Sequence, residues 1–348
     1  MRTLGGLSLL LFISPSSQAE THQEWLIFPQ LDLNYRSGIS HPASPKQREI
    51  TPSLDMFYSS GRNEIKWLAE FFASEDETEF ERLQIGWSPE DNTSIWLGRF
   101  HNPLGLWNSL AQHGAYMQTA ISRPHIIEYE HDGGPLPSHL SGVLAQFILP
   151  TGNGVWSYDL ALGYGPRLNT QLDAMDILSS EINEHELGAT IRISYQPEIY
   201  VSNKIGVFAS KLTIPAQNSI YQEVDQTIFG ITGIWGWQST ELIGAVYYLD
   251  NQLKGANNDP QNSLTNAYIQ FDHAWRPAWA AYLRLENSSY KNGDPYLQLF
   301  PDIQQGRTAI GLRHELTFNQ ALKFEIRDGG HLNDDFTEFN LQWSAFFP

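Results

Sequence analysis

Apolar and polar residues alternate with a period of two along most of this chain, in runs of strand length. Between residues 63 and 72, Ile65, Trp67, Ala69 and Phe71 fall on one face, and Lys66 and Glu70 on the other. Leu83, Ile85 and Trp87 alternate with Arg82, Gln84 and Gly86, and near the end Leu322, Phe324 and Ile326 alternate with Lys323, Glu325 and Arg327. A helix would spread these charges around its whole cylinder, whereas a strand keeps them on one side. Read in this way, the pattern predicts about sixteen strands, near residues 28–36, 50–59, 63–73, 79–88, 92–100, 140–149, 155–164, 187–196, 201–209, 226–236, 240–249, 265–274, 278–287, 307–317, 320–328 and 336–346.

The connections sort into two kinds. Those after every second strand are brief and rich in turn chemistry, as in Ser60-Gly61-Arg62, Pro89-Glu90-Asp91, Gln238-Ser239 and Arg276-Pro277. The others are mostly long and polar, with 101–139 the longest; residues 74–78 are a short exception. Trp87, Trp156, Trp235, Trp237, Trp275 and Trp279 all lie at strand ends beside the brief turns. That placement suits an aromatic girdle at a membrane interface better than a dry core, which would not gather them at one rim. The expected fold is therefore all-β: a transmembrane antiparallel barrel with short periplasmic turns and long extracellular loops.

Mean hydropathy is negative, which fits such a barrel because lipid-facing and water-facing residues average out along each strand. The chain has no cysteine, so thiolate chemistry and disulfides are excluded. A net charge of -18 argues against nucleic acid as a partner. Arg2, the apolar run from Leu4 to Ile13 and the small residues Ser17-Gln18-Ala19 read as an export signal over residues 1–19, with the barrel occupying 20–348. The apolar run is too short to cross a bilayer as a helix.

In whole architecture, from the export signal and strand number to the brief turns and one outsized loop after the fifth strand, the chain resembles the bacterial outer-membrane porins. The final strand, with Phe339, Leu341, Trp343, Ala345 and Phe347 on one face, looks like the aromatic terminal strand that such proteins present to the barrel-assembly machinery. The resemblance implies an outer-membrane channel for small hydrophilic solutes or ions, surrounded by lipid and assembled as a homotrimer. It also implies that residues 101–139 fold into the lumen and narrow it; Pro103-Leu104-Gly105 and Gly133-Gly134-Pro135 are their nearest equivalents to the Pro-Glu-Phe-Gly-Gly stretch of some porins' third loop. The loop would bring Arg123, His125, Glu128, Glu130, His131 and Asp132 to the constriction. By strand parity Lys66, Arg82 and Arg99 would face them from the wall, with Arg192, Arg284, Arg313 and Arg327 as further pore-lining candidates. Acids on the loop opposite bases on the wall would set up a transverse field across the pore.

Other chemistries are weaker in the sequence. His101, His113, His125, His131 and His139 are dense in this segment but have no recognised ligand spacing, so no metal or other cofactor is expected. Ser138-His139 and Ser109 with His113 are nucleophile pairs by composition only, and neither a Gly-x-Ser-x-Gly elbow nor a His-Glu-x-x-His pair occurs, so no enzymatic activity is expected. The rival reading is a barrel whose lumen the long loop largely blocks, acting as an adhesin or structural protein.

Overall fold

The computed structural model of the chain describes residues 22–37, 48–75, 77–107, 114–128, 130, 133–178, 182–198, 201–216, 221–255, 259–300, 303–331 and 335–348. The strands are β1 (His22–Ser37), β2 (Arg48–Arg62), β3 (Ile65–Ser74), β4 (Thr78–Glu90), β5 (Thr93–His101), β6 (His139–Thr151), β7 (Gly154–Tyr164), β8 (Arg167–Leu168), β9 (Leu172–Asp173), β10 (Leu187–Gln196), β11 (Lys204–Pro215), β12 (Glu223–Trp237), β13 (Thr240–Lys254), β14 (Gln261–Arg276), β15 (Trp279–Tyr290), β16 (Gln304–Thr317), β17 (Gln320–His331) and β18 (Asp335–Ala345). Sixteen of them pair antiparallel into a closed barrel, and the short β8 and β9 form a separate ribbon. Closure joins β1 to β18, where Ile27 and Phe347 exchange backbone hydrogen bonds of 2.8 and 2.9 Å. Each strand thus finds a partner on both sides, which is what lipid demands of a backbone that water cannot solvate.

The alternation read from the sequence has its physical counterpart in exposure. Ile65, Trp67, Ile85's neighbour Trp87, Phe229, Ile231, Leu283, Leu285 and Phe324 are exposed around the outside, while Glu70, Gln84, Arg284 and Glu325 between such residues are buried. The predicted girdle is present: all six tryptophans beside the brief turns are exposed, and Trp275, Trp279 and His314 stack in sequence, with ring centroids 6.3 and 4.1 Å apart. The brief turns are tight enough to put Asn63 and Gln238 at φ 55, a left-handed conformation that asparagine tolerates better than most residues.

All sixteen predicted barrel strands are found, but several climb further toward the long-loop rim than the alternation suggested. β11 runs to Pro215, β12 starts at Glu223 and β13 runs to Lys254, so much of the predicted loops 210–225 and 250–264 is strand. The cause is an inversion of the pattern. On β12 the outward face reads Phe229, Ile231, Trp235 and Trp237 through a band of about nine residues, the length a tilted strand needs to cross hydrocarbon. Above that band the outward residues are Glu223, Asp225 and Thr227, and the buried ones are Val224 and Ile228. β11 and β13 do the same: Lys211 and Asp250 turn outward while Leu212, Ile214, Leu249 and Leu253 turn inward. Lys254 ties this outer face together, reaching Glu223 at 2.9 Å and Asp225 at 2.5 Å.

The inward apolar residues meet a core made by the loops. Leu104, Trp107, Ile126, Ile127 and Leu136 pack with Leu168 and Leu172 of the small ribbon, with Tyr296, Leu297 and Phe300 of a 3-10 turn, and with the walls of β11 to β14.

Candidate functional site

The stem of the long connection continues the β5–β6 pairing. His101 stands opposite His139, Asn102 donates its N–H to the Ser138 carbonyl at 2.7 Å, and its side-chain amide donates to Pro137 at 3.0 Å. The chain then crosses to the far wall. Gly105, at φ 85, passes so close to Tyr247 that a Cβ would lie 2.5 Å from the phenol oxygen. Arg192 of β10 donates to the Gly105 carbonyl at 2.5 Å while paired with Asp159 at 2.8 Å, and the Leu106 N–H reaches Thr232 at 3.3 Å.

Residues 114–128 lie lengthwise along β16 and its neighbours. As the numbering falls from 128 to 116, the β16 contacts move from its long-loop end to its short-turn end. His125 accepts the Gln304 N–H at 3.2 Å, Glu128 stands 3.5 Å from Arg307, Arg313 donates to the Gln118 carbonyl at 2.6 Å, and Tyr116 Oη lies 2.9 Å from both Glu315 and the Phe318 carbonyl. Burial, and next the Glu315 carboxylate beside it, push the Tyr116 phenol up to about 12, so it remains a neutral donor. Gly114 opens this stretch at φ 69, against the Phe28 ring, where a Cβ would come within 2.3 Å of ring carbon.

Wall side chains hold the backbone of this segment from both sides of the hydrogen-bond ledger. Arg284 donates to the Ser122 carbonyl at 2.9 Å, the Ser122 hydroxyl at 2.5 Å and the Arg123 carbonyl at 3.0 Å. Lys323 donates to the carbonyls of Ala115 and, at 3.3 Å, Ala120. Glu325 accepts the N–H groups of Ile121 at 3.1 Å and Ser122 at 2.9 Å, and Glu286 accepts that of His125 at 2.6 Å. Glu286 also bridges Arg284 and Arg307, each 2.7 Å away. Such charge-assisted bonds are the strong ones, and here they satisfy irregular backbone that has no strand partner.

Of the residues singled out from sequence, Arg192, Arg284 and Arg313 meet the segment directly. Arg123 is buried, with its carbonyl accepting from Arg284 and Arg307. Arg82 pairs with Glu70 at 2.5 Å, with its guanidinium 5.5 Å from the Phe57 ring, and Arg99 pairs with Glu79 at 2.9 Å. Arg327 pairs with Glu338 and, at 3.4 Å, Glu325. Glu130 binds His139 at 2.7 Å and lies within electrostatic reach of Arg99. Lys66 is half-buried opposite Gly61 and Gly86 near the short-turn rim, apart from the rest. His131 and Asp132 lie outside the described residues, as do Ser109 and His113. Ser138 turns to the Leu136 carbonyl at 3.5 Å, while the imidazole of His139 engages carboxylates.

The wall therefore carries acids as well as bases, unlike the one-sided arrangement the sequence suggested. Glu286, Glu315, Glu325, Lys323 and Arg307 were not among the pore-lining candidates, although Glu286 follows Arg284 by two residues and Lys323, Glu325 and Arg327 share the polar face of one strand. Parity alone identifies them once both signs of charge are considered.

No family model matches the sequence, and no curated protein matches it either. Solved structures match the fold. In vitro folded OmpT, an outer membrane protein of Vibrio cholerae, gives a TM-score of 0.63 at 9% identity, over 94% of this chain and 98% of its own. The outer membrane channel DcaP of Acinetobacter baumannii gives 0.62 at 9% identity over 94% and 97%. A mutant of the Rh. blastica porin gives 0.50 at 10% identity over 93% and 100%. One OmpT structure, with a TM-score of 0.58, is a trimer form. The chain has the sixteen-stranded barrel fold of bacterial outer-membrane porins and channels.

Proposed function

We propose that this chain is a passive channel of the outer membrane, letting small hydrophilic solutes or ions diffuse down their gradients, with residues 101–139 as its internal constriction. The observation that carries this reading is the lattice of Arg284, Arg313, Lys323, Glu286 and Glu325 on the backbone of residues 115–125. Wall charges of both signs, buried against this lengthwise segment, fix it inside the barrel, where it narrows the lumen. Residues 1–19 act as the export signal, the short turns face the periplasm, and the aromatic final strand is read by the assembly machinery. The trimer form of OmpT supports a homotrimer here.

One observation favours a second reading, that of a largely blocked barrel with a surface role. The apolar core of Leu104, Trp107, Ile126 and Tyr296 against Tyr247 and Leu264 fills space that an open pore would leave to water. Planar-bilayer recording separates the two. Discrete conductance steps, with a reversal potential in a salt gradient that reports charge preference, support the channel; a folded sample that stays silent supports the block.

A further inference from the structure

We infer that Glu81, His101 and His139 form a binding site for a divalent transition-metal ion, with Zn2+ the best match, at the stem of the long connection. Three strands supply the ligands. His101 and His139 are a cross-strand pair at the ends of β5 and β6, with ring centroids 5.0 Å apart. Glu81 belongs to β4, where the register with β3 slips between Glu70 and Phe71: Glu70 pairs with Arg82 and Phe71 with Phe80, leaving Glu81 as the extra residue of a bulge. The bulge takes Glu81 out of the strand's alternation and buries it, at 4% exposure, against the two imidazoles. One ligand atom from each residue lies within 4.8 Å of the others, and Glu81 Oε2 is 2.8 Å from His139 Nε2 and 3.8 Å from His101 Nε2. A tetrahedral ion with ligands at about 2 Å holds them roughly 3.3 Å apart, so small side-chain shifts complete the set. Two imidazoles and a carboxylate leave the fourth position open.

Two independent features point the same way. Glu130 Oε2 lies 2.7 Å from His139 Nδ1, the outer carboxylate that fixes the tautomer of a metal-bound histidine and turns its Nε2 lone pair toward the ion. Glu81 Oε2 is buried with no hydrogen-bond partner among the described residues, although it stands 2.8 Å from Nε2 of His139. Charge agrees as well: among the described residues Asp55, Glu70, Glu79, Glu81 and Glu130 gather around the cluster with Arg82 and Arg99 beside them, an excess of acids that a dication offsets. A cavity of about 260 Å³, lined by Glu77, Glu79, Arg99 and Glu130 and by residues of the β8–β9 ribbon, adjoins the site and gives hydrated ions an approach.

The test is equilibrium binding of Zn2+ to tag-free, chelator-treated protein folded in detergent micelles, which does not depend on whether the barrel conducts. We expect one Zn2+ per chain, loss of at least ten-fold in affinity for His101→Ala, His139→Ala and Glu81→Gln, and a ten- to hundred-fold loss for Glu130→Gln, the range for removing an outer-shell partner. Co2+ bound in place of Zn2+ should show the visible absorption of tetrahedral nitrogen and oxygen ligation. Heat-modifiable migration in gels verifies that each variant is a folded barrel. Binding by wild type no stronger than by the folded His101→Ala/His139→Ala double variant overturns the site.

Discussion

Glu286 shows how much one inward side chain can carry. It is the shared acceptor for Arg284, Arg307 and the His125 N–H, and it is buried among them. Removing one partner of a buried charge network leaves the others desolvated and uncompensated, which costs about 3–5 kcal/mol. Glu286→Ala should therefore destabilise the barrel by that order in reversible urea unfolding from lipid vesicles. Glu286→Gln, which keeps an acceptor but not the charge, should fall between the variant and wild type. At this scale the sequence was partly legible. Parity placed Arg284, Arg313 and Arg192 on the inner wall, because a charge between two lipid-facing residues has nowhere else to go. Glu81 was not legible, because its burial depends on a bulge whose position is set by the neighbouring strand's register.

The strands show where local pattern stops being sufficient. Alternation identified every barrel strand, since outward residues in the hydrocarbon band must be apolar whatever the loops do. It lost the upper ends of β11, β12 and β13, where the apolar residues Leu212, Val224 and Leu253 face inward and the polar ones face out, because the medium outside changes from lipid to water. The inversion makes a depth prediction. Ile231→Arg, on the lipid face inside the band of β12, should cost about 2–4 kcal/mol in vesicle unfolding, whereas Thr227→Arg, on the same face above it, should cost only about 0–1 kcal/mol. Equal costs at the two sites would mean that the band extends further up the strand than the pattern of Phe229 to Trp237 allows.

For the whole molecule, the wall and the long segment are separable in stability but joined in function. The wall closes on itself through sixteen paired strands, so its backbone is satisfied without help from residues 115–127. Those residues in turn rest on Arg284, Arg313, Lys323, Glu286 and Glu325, groups that water can solvate once the segment is gone. Replacing residues 115–124 with a short Gly/Ser linker, which keeps Ile126 and Ile127 in the apolar core, should thus leave a folded, heat-modifiable barrel and raise its unit conductance, because most of the axial strut along β16 is removed. The same variant separates the two readings of the lumen. If the lattice on the β14 to β18 side is the constriction, conductance rises and current noise changes with it. If the apolar core beneath the β11 to β14 wall is a seal, the variant should stay as silent as the parent, and it is truncation of core side chains such as Leu104 and Trp107 that should open it.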